Sequence, residues 1–243
     1  MENNKRIIAA NFKMNLTKTE VEQYLGEIEG KIEKNRVIFF PTSLYASLFL
    51  EKGYRVGIQN VYQEEEGSYT GEISPKQAFS TGISYVLLGH SERRYIFHET
   101  EKEIGEKVRV SLKNGLKVIL CIGETEKERE EGRTLESIGR LLKASLQNIP
   151  SLENIIIAYE PIWSIGTGRI PSREEIEEIL DYIRKNIRDL GYFEAVPLLY
   201  GGSIDTNTIQ YLKGIKGIDG FLFGRASLKP EILLQMIEVA VTM

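Results

Sequence analysis

Four residues with chemically useful side chains lie at or just past the ends of short apolar runs: Asn11 after RIIAA and Lys13 two residues on, His90 after YVLLG, and Glu160 after IIIAY. A carboxylate at the end of a buried run is stripped of part of its water and becomes a better proton acceptor. The same position also suits a helix cap or an ion pair, and the neighbouring residues leave both readings open. His90 is followed by Ser91 and Glu92, which read as a helix start. The positive end of a helix disfavours an imidazolium, and a neutral ring there can donate a hydrogen bond to a substrate oxygen. A histidine satisfied within the core is the alternative. Lys13, inside NFKMN, is either a solvated surface residue or a cation pointing across a cleft, where it would neutralise an anionic substrate. Asn11 could hold Lys13 or donate to substrate; it is otherwise an ordinary turn residue.

Two glycine-bearing turns, YGGS at 200–203 and FGRAS at 223–227, also follow apolar runs. Glycines let backbone N–H groups approach a phosphate, and a short helix beginning there adds its positive end. A tight turn that binds nothing has the same composition. The segment 161–172, PIWSIGTGRIPS, is unusually apolar for a connection and holds Trp163, the only tryptophan. Beside Glu160, such a loop reads as a lid that excludes water, or as a loop packed permanently on the body. Cys121 reads as a buried structural thiol, and His98, beside a capping Thr100, as an exposed or partly packed residue without a catalytic role.

These residues need elements to position them. Eight short apolar runs recur: 6–11, 37–41, 55–60, 85–90, 117–122, 155–160, 196–202 and 220–224. Each is rich in β-branched residues and apolar at alternating positions of both parities, the pattern of a strand covered on both faces. Helical periodicity lies between them. Residues 17–34 put Val21, Tyr24, Leu25, Ile28 and Ile32 on one face, behind a Thr17/Glu20 capping box. Residues 172–190 put Ile176, Ile179, Leu180, Ile183 and Ile187 on one face, capped by Ser172 and Glu175 and stopped by Gly191. Thr100 and Glu103 open another helix that Gly115 closes. Residues 134–148 and 230–241 are helical, and the pieces after runs 2, 3 and 7 look shorter. Eight strand–helix units with no linker point to an α/β fold, a single (β/α)8 barrel over residues 1–243. An open doubly wound sheet is the alternative; the first strand–helix turn lacks the GxGxxG of a dinucleotide site.

Composition bounds the rest. The chain has 243 residues, 42% hydrophobic, and a formal net charge of −4 from 31 Lys plus Arg against 35 Asp plus Glu. That balance offers no basic face for nucleic acid. One Cys excludes an internal disulfide and fits a reducing, cytoplasmic compartment. The start, MENNKRIIAANFKMN, shows no apolar signal region, and no run approaches the ~20 residues of a membrane span. His90, His98 and Cys121 do not make a zinc set, so no metal is expected.

NFKMN, LGHSERR, CIGET, AYEPIW with IGTG, and YGGS together, in this order across nearly the whole chain, resemble the triosephosphate isomerase family. The resemblance implies an intramolecular isomerase of glycolysis and gluconeogenesis that interconverts dihydroxyacetone phosphate and D-glyceraldehyde 3-phosphate without cofactor or metal. It implies Glu160 as the base, His90 as the neutral electrophile, Lys13 as a positive charge, Asn11 as a substrate-positioning residue and Glu92 as a supporting carboxylate near Lys13. It places Gly166, Ser203, Gly224 and Arg225 around the substrate phosphate. It also implies a homodimer in which the loop 61–75 brings Thr70 near the partner's Asn11 and Lys13; on composition alone this Glu-rich loop reads as a solvated excursion. Three departures from the family pattern stand out: Arg225 stands where a second glycine is common, Ser164 where Ala is common, and the segment Arg169-Ile170-Pro171-Ser172 where Lys and small residues are common. Without the resemblance, another barrel enzyme acting on a phosphorylated sugar, or a non-catalytic binding barrel, would fit the same elements.

Overall fold

The computed structural model describes residues 6–241. The expected domain bounds, 1–243, and the leader reading of the first residues extend to 1–5 and 242–243, which lie outside the described residues.

Each apolar run forms a strand: β1 Ile7–Asn11, β2 Val37–Phe40, β3 Arg55–Ile58, β4 Tyr85–Leu88, β5 Lys117–Ile122, β6 Ile155–Tyr159, β7 Leu198–Tyr200 and β8 Gly220–Phe223. All neighbouring pairs are parallel, and β8 returns to pair with β1 through Ile7↔Gly220, Ile8↔Phe221, Ala9↔Leu222 and Ala10↔Phe223. This closure excludes the open sheet held as the alternative.

Residues of alternating parity divide into two cores. Ala9, Ile38, Phe40, Leu87, Ile119, Cys121, Ala158, Leu199 and Leu222 fill the barrel interior. Their neighbours in sequence, such as Ile8, Phe39, Leu88, Leu120 and Ile157, pack outward against the helices. That two-sided burial is why no strand shows an apolar/polar alternation. The interior is filled by matched sizes. A Cβ at Gly57 would fall 2.1 Å from the Phe40 ring, so the absence of a side chain on β3 makes room for the aromatic on β2.

The outer layer comprises α1 Lys18–Ile28, α2 Ala46–Glu51, α3 Pro75–Ser80, α4 Ser91–Tyr95, α5 Glu101–Lys113, α6 Glu126–Glu130, α7 Thr134–Leu146, α8 Arg173–Asp189, α9 Thr208–Leu212 and α10 Pro230–Val241. The pieces after β2, β3 and β7 are short, as the sequence suggested. The capping boxes at Thr100/Glu103 and Ser172/Glu175 form as expected. The first helix ends earlier than its periodicity: Glu29 is extended and Gly30 takes φ +74°, so α1 stops at Ile28 while Ile32 is buried from the turn beyond. The helix expected over 134–148 likewise ends at Leu146, with Asn148 left-handed at φ +62°.

Among the described residues, no helix is long and apolar enough to cross a membrane.

Candidate functional site

The βα turns at the C-terminal end of the barrel enclose a cavity of about 740 Å³. Asn11, Lys13, His90, Glu160, Gly166, Ser203, Gly224 and Arg225 all line it. Glu92 does not line it directly, but its Oε1 lies 2.6 Å from Lys13 Nζ.

Glu160 follows β6, and its backbone N–H still bonds the Ile122 carbonyl of β5 at 2.8 Å. The residue is only 2% exposed. Glycines make its seat. A Cβ at Gly123 would fall 1.8 Å from the Glu160 carbonyl oxygen, and one at Gly201 would fall 2.9 Å from Glu160 Cγ. Any larger residue at either position would displace the carboxylate. The Ser91 N–H donates to Glu160 Oε2 at 3.3 Å, and Glu160 Oε1 lies 3.4 Å from His90 Nε2.

His90 is the N-cap of α4, and its Nδ1 accepts the Glu92 N–H at 3.2 Å. A ring nitrogen that accepts carries no proton, so the neutral ring keeps its single proton on Nε2, the edge facing Glu160. The helix-start reading of residues 90–92 therefore corresponds to a specific hydrogen bond that fixes the tautomer.

Lys13 has φ +52°, a left-handed conformation that is unusual outside glycine. Two side chains hold it there. Asn11 Oδ1 accepts the Lys13 N–H at 3.0 Å, and Gln59 Nε2 donates to the Lys13 carbonyl at 2.8 Å and to the Phe40 carbonyl at 2.9 Å. The sequence reading anticipated the Asn11 hold but missed Gln59, whose importance comes from β2 and β3 lying side by side. The Lys13 stem also reaches the opposite turn: a Cβ on Gly224 would sit 3.6 Å from Lys13 Cε. Cation and glycine turn thus meet at one end of the cavity. Arg225 begins a single 3-10 turn, Arg225–Leu228.

Beneath the site, Arg94 is buried and donates to the Gly89 carbonyl at 2.7 Å and the Cys121 carbonyl at 3.1 Å. Cys121 is fully buried, in line with its reading as a structural thiol, and burial together with the neighbouring Glu160 pushes its thiol pKa well up. His98 is exposed.

The segment after Glu160 begins with a 3-10 turn, Ile162–Ser164, and turns back through Gly166 and Gly168, both at positive φ and exposed. Trp163 anchors its first half. The indole N–H donates to Glu124 Oε1 at 2.7 Å, and Tyr159 O–H donates to the same carboxylate at 3.2 Å. Arg129 and Arg169 lie over the Trp163 ring at 4.1 and 5.3 Å. Arg169 also pairs with Glu126 at 2.6 Å. Burial raises the Glu124 carboxyl pKa, a rise that the Trp163 hydrogen bond opposes. None of these tethers to Glu124 was legible in the sequence.

A buried carboxylate beside an imidazole, in a cavity also lined by a lysine and two glycine turns, suits proton transfer on a small anionic carbonyl compound. Comparison with known proteins points the same way. The sequence profile of the triosephosphate isomerase family matches residues 6–240. A triosephosphate isomerase of Natranaerobius thermophilus is 39% identical over 244 aligned positions, covering 96% of this chain and 95% of that protein. One of Coprinopsis cinerea is 42% identical over 237 positions, covering 93% and 94%. With its closed barrel and full-length similarity, the chain belongs to the triosephosphate isomerase family.

Proposed function

We propose that Glu160 and His90 carry the proton chemistry of this protein, with Asn11, Lys13 and Glu92 at the reacting end and Gly166, Ser203, Gly224 and Arg225 around the phosphate. The reaction comes with the family: the chain interconverts dihydroxyacetone phosphate and D-glyceraldehyde 3-phosphate. In the ketone-to-aldehyde direction, Glu160 takes a proton from C1. The electron pair of that C–H bond forms the C1=C2 double bond, and the carbonyl oxygen on C2 becomes an enediolate. His90 Nε2–H hydrogen-bonds the developing oxyanion, and Lys13 offsets its charge. Glu160 then returns the proton to C2, and the hydroxyl proton on C1 is redistributed to the C2 oxygen. The observation that carries this reading is the 3.4 Å approach of Glu160 Oε1 to a His90 Nε2 that the Glu92 N–H leaves as the protonated edge. A coupled assay of glyceraldehyde 3-phosphate isomerisation tests it; turnover that survives removal of both side chains refutes the assignment.

The enzyme works, in this reading, as one domain over 1–243, as a cytoplasmic homodimer, without cofactor or metal. The dimer reading rests on the loop 61–75. Its base is tied by the Tyr62 N–H to the Ile73 carbonyl at 2.8 Å, while Thr70 stands exposed at the tip. Met14, beside Lys13, is 92% exposed, and Ile96 and Phe97 after α4 are exposed as well, apolar surface of the kind a partner covers. Sedimentation at micromolar concentration should give twice the 27.7 kDa chain mass; a monomer overturns it.

A further inference from the structure

We propose that the Ser164 hydroxyl is a latch that competes with the substrate phosphate for Ser203, which makes phosphate binding and release of the lid a single event. The inference rests on the reading of Ser203 as a phosphate ligand and deepens it. Ser164 ends the 3-10 turn after Glu160 and is 0% exposed, within a loop whose tip is open to solvent. Its hydroxyl donates to the Arg169 carbonyl at 2.5 Å, which ties the two ends of the lid together. The same oxygen accepts the Ser203 N–H at 3.2 Å, and the Ser164 carbonyl accepts the Ser203 hydroxyl.

Ser203 lines the cavity, yet both of its donors are therefore turned to Ser164 rather than to the cavity. One N–H cannot serve two acceptors at full strength. A phosphate dianion accepts a charge-assisted hydrogen bond, roughly twice as strong as the neutral one it displaces. The phosphate therefore wins Ser203, and the lid loses its hold on the turn after β7.

Glycerol 3-phosphate, which carries the phosphate but no carbonyl, is the probe. In calorimetric titration Ser164→Ala should bind it roughly 2- to 10-fold more tightly, because the native bond to Ser203 no longer has to break. The Ser203 backbone amide resonance gives a readout that altered packing alone would not move. Ser164→Ala should shift it in the free enzyme and leave it unchanged in the glycerol 3-phosphate complex. If the probe fails to move the Ser203 amide of the native enzyme, both the phosphate reading and the latch fall. If the amide responds but Ser164→Ala binds the probe equally or more weakly, the latch alone falls.

Discussion

Glu160 Oε1 lies 3.4 Å from His90 Nε2, and the adjacent Ser91 N–H holds the other carboxylate oxygen at 3.3 Å. Glu160 and His90 are thus positioned by one β4 turn, whose first helical N–H groups serve both residues: that of Ser91 holds Glu160 and that of Glu92 holds His90 Nδ1. A substrate carbon that takes the place of Ser91 N–H on Glu160 finds the imidazole donor already beside it.

Glu160→Gln keeps the shape of the side chain and removes the carboxylate proposed as the base. Isomerisation should fall by at least ~100-fold, the loss expected for a positioned general base. Binding of glycerol 3-phosphate should change far less, since the phosphate end is untouched. Steady-state kinetics paired with calorimetry would check both. Near-native turnover would refute Glu160 as the base.

Gln59 makes a different kind of prediction, because it touches only backbone. Its amide holds the Lys13 and Phe40 carbonyls while Lys13 occupies a left-handed conformation. Gln59→Ala should cost about 1–3 kcal/mol of stability by leaving a carbonyl unpaired. It should also lower kcat/KM by roughly tenfold or more, as loss of preorganised charge predicts. Urea denaturation and kinetics on the same preparation would separate the two effects. A variant with native kcat/KM would show that Lys13 needs no such hold.

The contrast between Glu160 and Gln59 marks where the sequence stops being informative. A strand buried on both faces leaves a run such as IIIAY that no other element mimics at that length, so β6 and the residue that ends it are legible. His90 is legible for the same reason, as a residue at a helix start, but the Glu92 N–H bond to its Nδ1 shows only in the structure. Gln59 sits in an equally ordinary strand end, but its role requires β1, β2 and β3 to be neighbours in register. Gly123 is a letter in CIGET until β5 and β6 pair and bring the Glu160 carbonyl to within 1.8 Å of where a Cβ would be. Helix ends fail for a local reason. Ile32 continues the periodicity of α1, but Gly30 has already turned the chain, and burial alone does not reveal which backbone carries the side chain.

Glu124 yields a pH prediction. It is fully buried, and burial raises its pKa above the ordinary value of 4.5. The folded state therefore binds this proton more tightly than the unfolded state does. Its contribution favours folding at low pH and is lost as pH rises from about 4.5 through the raised native value. The Trp163 N–H bond is the largest influence holding the pKa down. Trp163→Phe should therefore move the Glu124 midpoint higher still, a shift that a carboxyl-detected NMR titration can follow. A midpoint at or below 4.5 in the native protein would contradict the burial argument.

The second hinge of the lid carries the remaining prediction. Gly166 and Gly168 sit at φ +72° and +76°, with open space where side chains would be. Two residues beyond Ile170 the chain is already committed, because Ser172 caps α8 through reciprocal bonds with Glu175 at 2.7 and 3.2 Å. Pro171 lies between these regions, buried, with φ fixed near −65° and the preceding Ile170 pushed toward extended backbone. If the loop opens and closes, the motion falls on the glycine side, since the φ of Pro171 is fixed. Pro171→Ala should restore a rotatable φ at the hinge, speed open–closed exchange measured by relaxation dispersion, and lower stability by about 0.4–1 kcal/mol through a freer unfolded chain. Equal exchange rates in the two proteins would mean that the glycines alone set the motion and that the proline merely terminates the loop before α8.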